Sequence, residues 1–296
     1  MNNVILRPVF DRPEMLYLSL EYEKAAREYF SLKDELVTVF IIEHGSPDKT
    51  LELVDNYPYT SAKIKRKEKF GLSKNILLGM RDAFDISDNY VIHLEDDILL
   101  HKTYFQYMDI LLNMGLNYSV LSPFNKKDEG SVNDIYKGHH YAALAPLIDK
   151  GFFEDYVEPC ITPVYYENYA SRDRFVRALA KKYQDNELYK YRNNPGGHNE
   201  QAGLINKLVD VSLIEEEKWV IQPFINRQQH IGYFGKNRPG GKIPGKSFED
   251  RLKNLREIIK DPNRMYQLSA AKQYNDYLAF SPKLEEWNGT LYLKKD

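Results

Sequence analysis

Residues 90–100, Tyr90-Val91-Ile92-His93-Leu94-Glu95-Asp96-Asp97-Ile98-Leu99-Leu100, join an apolar run to three consecutive carboxylates and then to a second apolar run. A short continuous apolar run is the pattern of a strand buried on both faces. Three adjacent carboxylates repel one another, and their pKa values rise unless a cation sits among them. A divalent ion is the simplest compensator. Hard carboxylate oxygens suit Mg²⁺ or Mn²⁺, which complete their shells with phosphate oxygens and water. The bland alternative is a solvated acidic turn, but the position at a strand end, with Ile98-Leu99-Leu100 following, favours a metal site.

Upstream of this stretch, short apolar runs alternate with helical patterns, as in βαβ units that build a largely parallel sheet. Residues 4–6 and 37–42 read as buried strands and 62–64 as a shorter one. Pro13 fits the first turn of a helix carrying Met15, Leu16, Leu18, Leu20 and Tyr22. Asp48 is placed to cap a second helix. Residues 73–84 set Ile76, Leu77, Met80 and Phe84 on one helical face. Ligands of open α/β sheets collect at the carboxyl ends of the strands, and here three ends deliver Arg7, Glu43 and Glu95-Asp96-Asp97 to one edge.

Downstream, the pattern loosens into turns over 125–158 and resumes as a polar helix over 165–183. Asn193-Asn194-Pro195-Gly196-Gly197 is a turn signal, followed by a helix over 199–208 and a strand over 219–225. Lys236, Arg238, Lys242 and Lys246 stud a Gly-rich loop that reads as a lid or a linker. Ser247 and Asp250 form a capping-box pattern ahead of a helix over 248–259. This divides the chain into an α/β unit over 1–235, with a nucleotide-binding half (1–124) and a second half (125–235), and a basic loop with C-terminal helices over 236–296.

Composition removes several function classes. Hydrophobic residues are 43% and charged residues 28% of 296, an ordinary globular balance that argues against disorder. The formal charge of −2 gives no global attraction to nucleic acid or an anionic membrane. A single cysteine, Cys160, rules out an intramolecular disulfide and a cysteine zinc cluster. There is no signal-peptide pattern and no run of about 20 apolar residues, which predicts a cytoplasmic protein or one shorn of its anchor. Serine-hydrolase, zincin, P-loop and dinucleotide-binding motifs are also missing from the sequence.

The segment HLEDDILLHKTYFQYM (93–108) resembles the DXD segment of GT-A glycosyltransferases. Its E-D-D form is closest to the N-acetylglucosaminyltransferases of glycoprotein maturation and to family 2-like enzymes. LRPVFDRPEMLYLSL (6–20), VFIIEHGSPDKT (39–50) and KFGLSKNILLGMRDAF (69–84) are similar to that family's opening strand and helix, its second strand, and its G-L-S-x-N-I helix. The resemblance covers residues 3–110. It implies a GT-A-like α/β fold with a central, mostly parallel sheet flanked by helices, and a nucleotide-diphosphate sugar, UDP-linked by preference, held across the sheet edge. In that reading Asp97 is the direct ligand of Mn²⁺ or Mg²⁺, Asp96 faces the ribose or sugar, and Glu95 completes the E-D-D variant. Glu43 stands where the family places an acid against the uracil edge. Gly196-Gly197-His198-Asn199-Glu200 is similar to the turn at the head of the acceptor helix, making Glu200 the candidate base. Arg227-Gln228-Gln229-His230-Ile231-Gly232 looks like the late turn in which some members carry a metal-binding His, here His230.

Arg7, Arg12 and Lys74 have the chemistry to pair with a phosphate; the other reading of each is a surface ion pair. The sequence therefore predicts a metal-dependent transfer of a sugar from a nucleotide diphosphate to an acceptor hydroxyl, with inversion, in glycan assembly. A glycan is the first acceptor class, with a modified nucleobase or a protein hydroxyl left open. Two alternatives stand beside it. A nucleotidyltransferase uses the same metal logic, although its basic Gly-rich first loop is missing here. A non-catalytic scaffold would bind nucleotide without turnover.

Overall fold

Strand β1 (Asn3–Val9) sends Val4 and Leu6 to one face of a sheet and Ile5 to the other, and all three are fully buried. Side chains alternate across a strand, so an unbroken apolar run needs helices on both faces to cover it. The computed structural model describes residues 3–31, 36–126, 129–166, 168–183, 185–186, 201–232, 234, 241–260 and 280–294. β1 pairs in parallel with β2 (Leu36–Ile42) and with β4 (Tyr90–His93), and β3 (Thr60–Lys65) adds in parallel beside β2. The helices between them are α1 (Pro13–Phe30), α2 (Asp48–Asp55) and α3 (Leu72–Phe84). Ile76, Leu77, Met80 and Phe84 of α3 cover the Val4/Leu6 face, as their spacing predicts.

Beyond β4 the sheet becomes mixed. β5 (Ile98–Leu100) and helix α4 (Tyr104–Asn113) lead into β6 (Tyr118–Leu121). The described residues of 122–146 contain the strand β7 (Asp134–Gly138) and no helix. Without a helical crossover the chain returns through β8 (Leu147–Asp149), antiparallel to both β4 and β6. β9 (Trp219–Pro223) runs parallel to β6 and antiparallel to β7, and β11 (Tyr292–Leu293) closes the edge beside β7. The full order is β11-β7-β9-β6-β8-β4-β1-β2-β3. A separate pair joins β5 to β10 (Gln228–His230) in antiparallel register, setting His230 opposite Ile98.

Several local expectations shift. Asp48 does not cap α2; Pro47 occupies the cap position without a side-chain bond, and Asp48 is the first helical residue, where its charge suits the helix N-terminus. The polar helix breaks at Asn168 into a turn, Pro163–Tyr166, and α5 (Tyr169–Lys182). The next helix, α6 (Gln201–Glu216), runs past residue 208 because Val209, Val211 and Leu213 extend its buried face. β9 stops at Pro223. The capping box of α7 (Phe248–Ile259) forms as read: the Asp250 amide donates to Ser247 Oγ at 3.0 Å and the Ser247 amide to Asp250 Oδ2 at 3.4 Å. Leu255 and Ile258 of α7 pack on Met15 and Leu18 of α1. No described helix is long and apolar enough to cross a membrane.

Under α1 lies a buried charge network that fixes the end of β1. Arg7 donates to Glu23 Oε2 through Nε (2.9 Å) and Nη2 (2.7 Å), and to Ser19 Oγ at 3.0 Å. Arg27 donates to Glu23 Oε1 at 2.9 Å and to the Leu36 carbonyl at 2.7 Å, while Thr38 Oγ1 donates to Glu23 Oε1 at 3.2 Å. Arg7 and Glu23 have no solvent exposure. Burial alone would raise the Glu23 pKa, but Arg7 and Arg27 outweigh it and hold the carboxyl below its ordinary range.

Candidate functional site

The site sits where β1 and β4 end. His93 is the last residue in register with β1; the Leu94 amide still donates to the Leu6 carbonyl at 2.9 Å, and the chain then turns through Glu95 with the Ile98 amide on the Glu95 carbonyl. This turn places Asp96 and Asp97 under the start of α1. Asp97 is fully buried and Asp96 is nearly so. Two buried carboxylates side by side need a counter-charge, and Arg12 provides one. It stands at the N-cap of α1, and its guanidinium spans both groups: Nε and Nη2 donate to Asp96, and Nη1 to Asp97 Oδ2. Its side chain remains 22% exposed, so it closes the mouth of the site rather than lying in the core. Burial would lower the Arg12 pKa, but Asp96, Asp97 and Glu95 together raise it beyond its ordinary value.

The β5–β10 pair brings in the other side. The Ile231 amide donates to the Asp97 carbonyl at 2.8 Å, and His230 Nε2 lies 3.3 Å from Asp97 Oδ2. Gly232 completes this wall. A Cβ there would fall 2.2 Å from Asp97 Oδ2 and 2.3 Å from His230 Nε2, so only glycine leaves that corner open.

Burial pushes the Asp96 carboxyl up to about 6, against the pull of Arg12 and with the Asp97 charge adding to the rise. His93, buried beneath the turn and 3.7 Å from Glu95, is pulled down to about 4 by burial despite Asp97, so at neutral pH it carries no positive charge. Arg12 faces Asp96, Asp97 and Glu95, and the Arg7 charge also reaches Asp96. A hard oxygen and an imidazole nitrogen converging at a glycine-lined corner fit Mn²⁺, and fit Mg²⁺ through the carboxylate. Among the described residues no group of three or more His, Cys, Asp or Glu is placed to hold an ion. Asp97 and His230 would form the protein side of such a shell, with phosphate oxygens and water as the complement.

The other expected residues fall differently. Arg7 is a correction: its guanidinium is committed to Glu23 and Ser19 inside the fold, out of reach of a phosphate, and its contact with the site is a 3.5 Å approach to the Glu95 carbonyl. Glu43 is a second correction. Its carboxylate accepts from the backbone amides of His44 (2.9 Å), Phe70 (3.1 Å) and Gly71 (2.9 Å). It clamps the end of β2 to the loop that enters α3, where Gly71 takes φ +76°, rather than offering itself to a base edge. Lys74 lies on the first turn of α3 with its ammonium 4.2 Å from the Phe70 ring centroid and 4.0 Å from Glu68, an aromatic and charged wall of the same edge. Glu200 lies outside the described residues, as do Lys236 and Arg238 of the basic loop; Lys242 and Lys246 are exposed.

Two features escaped the sequence. The guanidinium of Arg12 spans the acid pair, for which the only sequence signal was an arginine directly before the proline that starts α1. Gly232 is the other, and its signal was the small residue two places after His230.

No family model matches the chain, and no curated protein matches it. Among solved structures the chain is similar to S. aureus TarS 1-349 at 11% identity, with a TM-score of 0.47 over 91% of this chain and 81% of that one. In the TarS complex with UDP-GlcNAc the match spans 52% of this chain and about half (47%) of that one, at 12% identity and a TM-score of 0.41. It is also similar to the mannosyltransferase PcManGT from Pyrobaculum calidifontis in complex with GDP-Man and Mn²⁺, at 12% identity and a TM-score of 0.42 over 73% of this chain and 70% of that one. Mouse xyloside xylosyltransferase 1 matches at 11% identity and a TM-score of 0.39 over 74% of this chain and 84% of that one.

Proposed function

We propose that this chain is a metal-dependent glycosyltransferase of the GT-A type, moving a sugar from a nucleotide-diphosphate sugar to an acceptor hydroxyl with inversion. The observation that carries this reading is the corner formed by Asp97, His230 and Gly232 at the carboxyl edge of the parallel strands, with Arg12 across the neighbouring carboxylate. Asp97 and His230 would hold the divalent ion, which when bound would neutralise the departing diphosphate. Asp96, oriented by Arg12, accepts from hydroxyls of the ribose or sugar. Glu200 takes the proton of the acceptor hydroxyl as its oxygen bonds to the anomeric carbon and the bond from that carbon to the diphosphate breaks.

Residues 1–124 bind the donor, 125–235 the acceptor, and 236–296 brace the donor half through the packing of α7 on α1. A UDP-sugar is the first donor to test and a glycan the first acceptor. Since Glu43 is tied to the backbone, base selection falls to the walls around it.

The test is a thermal-shift screen of nucleotide sugars with and without Mn²⁺, followed by product analysis. A ligand at 100 times its Kd stabilises the fold by about 2.7 kcal/mol. The expected result is a shift that needs both metal and one donor, lost in Asp97→Ala, and release of a nucleoside diphosphate on turnover. Release of pyrophosphate from a nucleoside triphosphate, or no shift with any nucleotide, overturns the reading.

A further inference from the structure

On the proposed function, Arg12 and the ion would meet at the same oxygen. Asp97 Oδ2 receives Nη1 of Arg12 and is also the oxygen that His230 Nε2 approaches at 3.3 Å beside Gly232. The rest of the Arg12 guanidinium is anchored elsewhere, through Nε and Nη2 on Asp96. These two legs are separable. A planar guanidinium bonded along one edge to Asp96 can release Nη1 while keeping its hold, which a lysine ammonium, a single point of charge, cannot do. A released Nη1 inside a largely buried site carries a desolvation cost unless a new anion meets it. A phosphate oxygen is the natural partner, because guanidinium and phosphate form strong charge-assisted hydrogen bonds.

We infer that Arg12 is a placeholder cation that makes tight metal binding conditional on a nucleoside diphosphate: it yields Asp97 Oδ2, keeps Asp96, and turns the freed Nη1 to the diphosphate. This rests on the functional reading above and adds to it a residue that couples two ligands. A divalent cation that takes Asp97 Oδ2 leaves Nη1 of Arg12 without its acceptor. A diphosphate oxygen supplies Nη1 with a new one. By linkage, whatever factor the diphosphate adds to metal affinity, the metal adds to diphosphate affinity.

The measurement is free Mn²⁺ by electron paramagnetic resonance, titrated with the full chain in the absence and presence of UDP or GDP, for the parent, Arg12→Gln and Arg12→Lys. Circular dichroism checks that each variant is folded. Arg12→Gln removes the competing charge while still able to hydrogen-bond Asp96. It should bind Mn²⁺ alone roughly tenfold tighter than the parent, within the range of ordinary coupling, and the gain from the nucleotide should shrink. Arg12→Lys keeps the competing charge, so its affinity for Mn²⁺ alone should stay within about threefold of the parent, but without the fork its nucleotide-driven gain should fall.

A folded Arg12→Gln that binds Mn²⁺ alone no better than the parent overturns the placeholder role and leaves the glycosyltransferase reading standing. If Arg12→Gln does not fold, an Arg12→Lys with an unchanged nucleotide-driven gain overturns the role equally. A parent that binds no Mn²⁺ with or without either nucleotide sinks the metal reading, and the inference with it.

Discussion

Arg7 and Arg12 both emerge from the end of β1, yet they build opposite kinds of charge cluster. Around Arg7 cations are in excess: Arg7 and Arg27 share Glu23, and the surplus is absorbed by the protein's own groups, the Leu36 carbonyl and the Tyr59 ring 4.5 Å from the Arg27 guanidinium. The cluster is sealed and complete. Around Arg12 one guanidinium spans Asp96 and Asp97 with Glu95 alongside, and its side chain is 22% exposed. The same residue types therefore divide by whether their charges are sealed inside the fold or reach its surface. Charges satisfied inside the fold are structure, whereas carboxylates gathered at a strand edge around a partly exposed guanidinium are the proposed place for a cation brought from outside.

Substitutions break this contrast in different ways. The largest effect on stability belongs to the sealed cluster. Glu23→Ala leaves two buried guanidiniums facing each other and should cost about 3–5 kcal/mol in urea unfolding; a loss below 1 kcal/mol would mean the cluster is not sealed. In the open cluster, Asp97→Asn should leave the unfolding midpoint near the parent's, or raise it by relieving carboxylate repulsion. Sugar transfer by the same variant should fall by about 100-fold or more, since a direct metal ligand matters at least as much as the outer-shell groups whose loss costs 10–100-fold.

The pH dependence sharpens the contrast further. His93 is held neutral in the fold with a pKa pulled down to about 4. In the unfolded chain its pKa is about 6.5. The unfolded state thus binds the proton first, and stability falls as pH drops from about 6.5 towards 4. His93→Gln should flatten that slope by on the order of 1–3 kcal/mol across the window, read from urea unfolding at each pH. Glu23, whose pKa lies below the usual carboxylate range, adds stability that is lost only at lower pH, below about 4.3. The smallest change is Lys74→Ala. It removes a cation from the Phe70 wall and should raise donor KM by roughly threefold with kcat unchanged, the size of an exposed cation–π contact.

How much of this was legible depends on whether the cause was local. β1, β2, α3 and β4 were readable because two-faced burial writes itself as apolar runs and one-faced burial as helical periodicity. The Ser247–Asp250 capping box was readable because both its partners lie within one turn. The Glu95-Asp96-Asp97 cluster stood out because three carboxylates at the end of a buried strand need a compensating charge, and Asp97 was singled out among them by the family resemblance alone. The antiparallel return through β8 and the β5–β10 pair were not readable, since both depend on pairings between segments far apart in the chain.

The same limit explains the two corrections at the site. Arg7 and Glu43 were placed correctly at strand ends, but their partners were invisible. Glu23 lies on the buried face of α1, and the amides that hold Glu43 belong to a loop entering another helix. A charged residue at a strand end announces that it needs partners, while the sequence does not say whether they belong to the protein or to a ligand.

The central claim of the proposed function is that Asp97 and His230 together hold a divalent ion. Pulsed electron paramagnetic resonance on the Mn²⁺ complex formed with UDP or GDP tests it directly, because a coordinated imidazole imprints a nitrogen coupling on the metal signal. The expected result is that coupling in the parent and its loss in His230→Gln. A parent that binds Mn²⁺ with no nitrogen coupling, or a coupling that survives in His230→Gln, would contradict it.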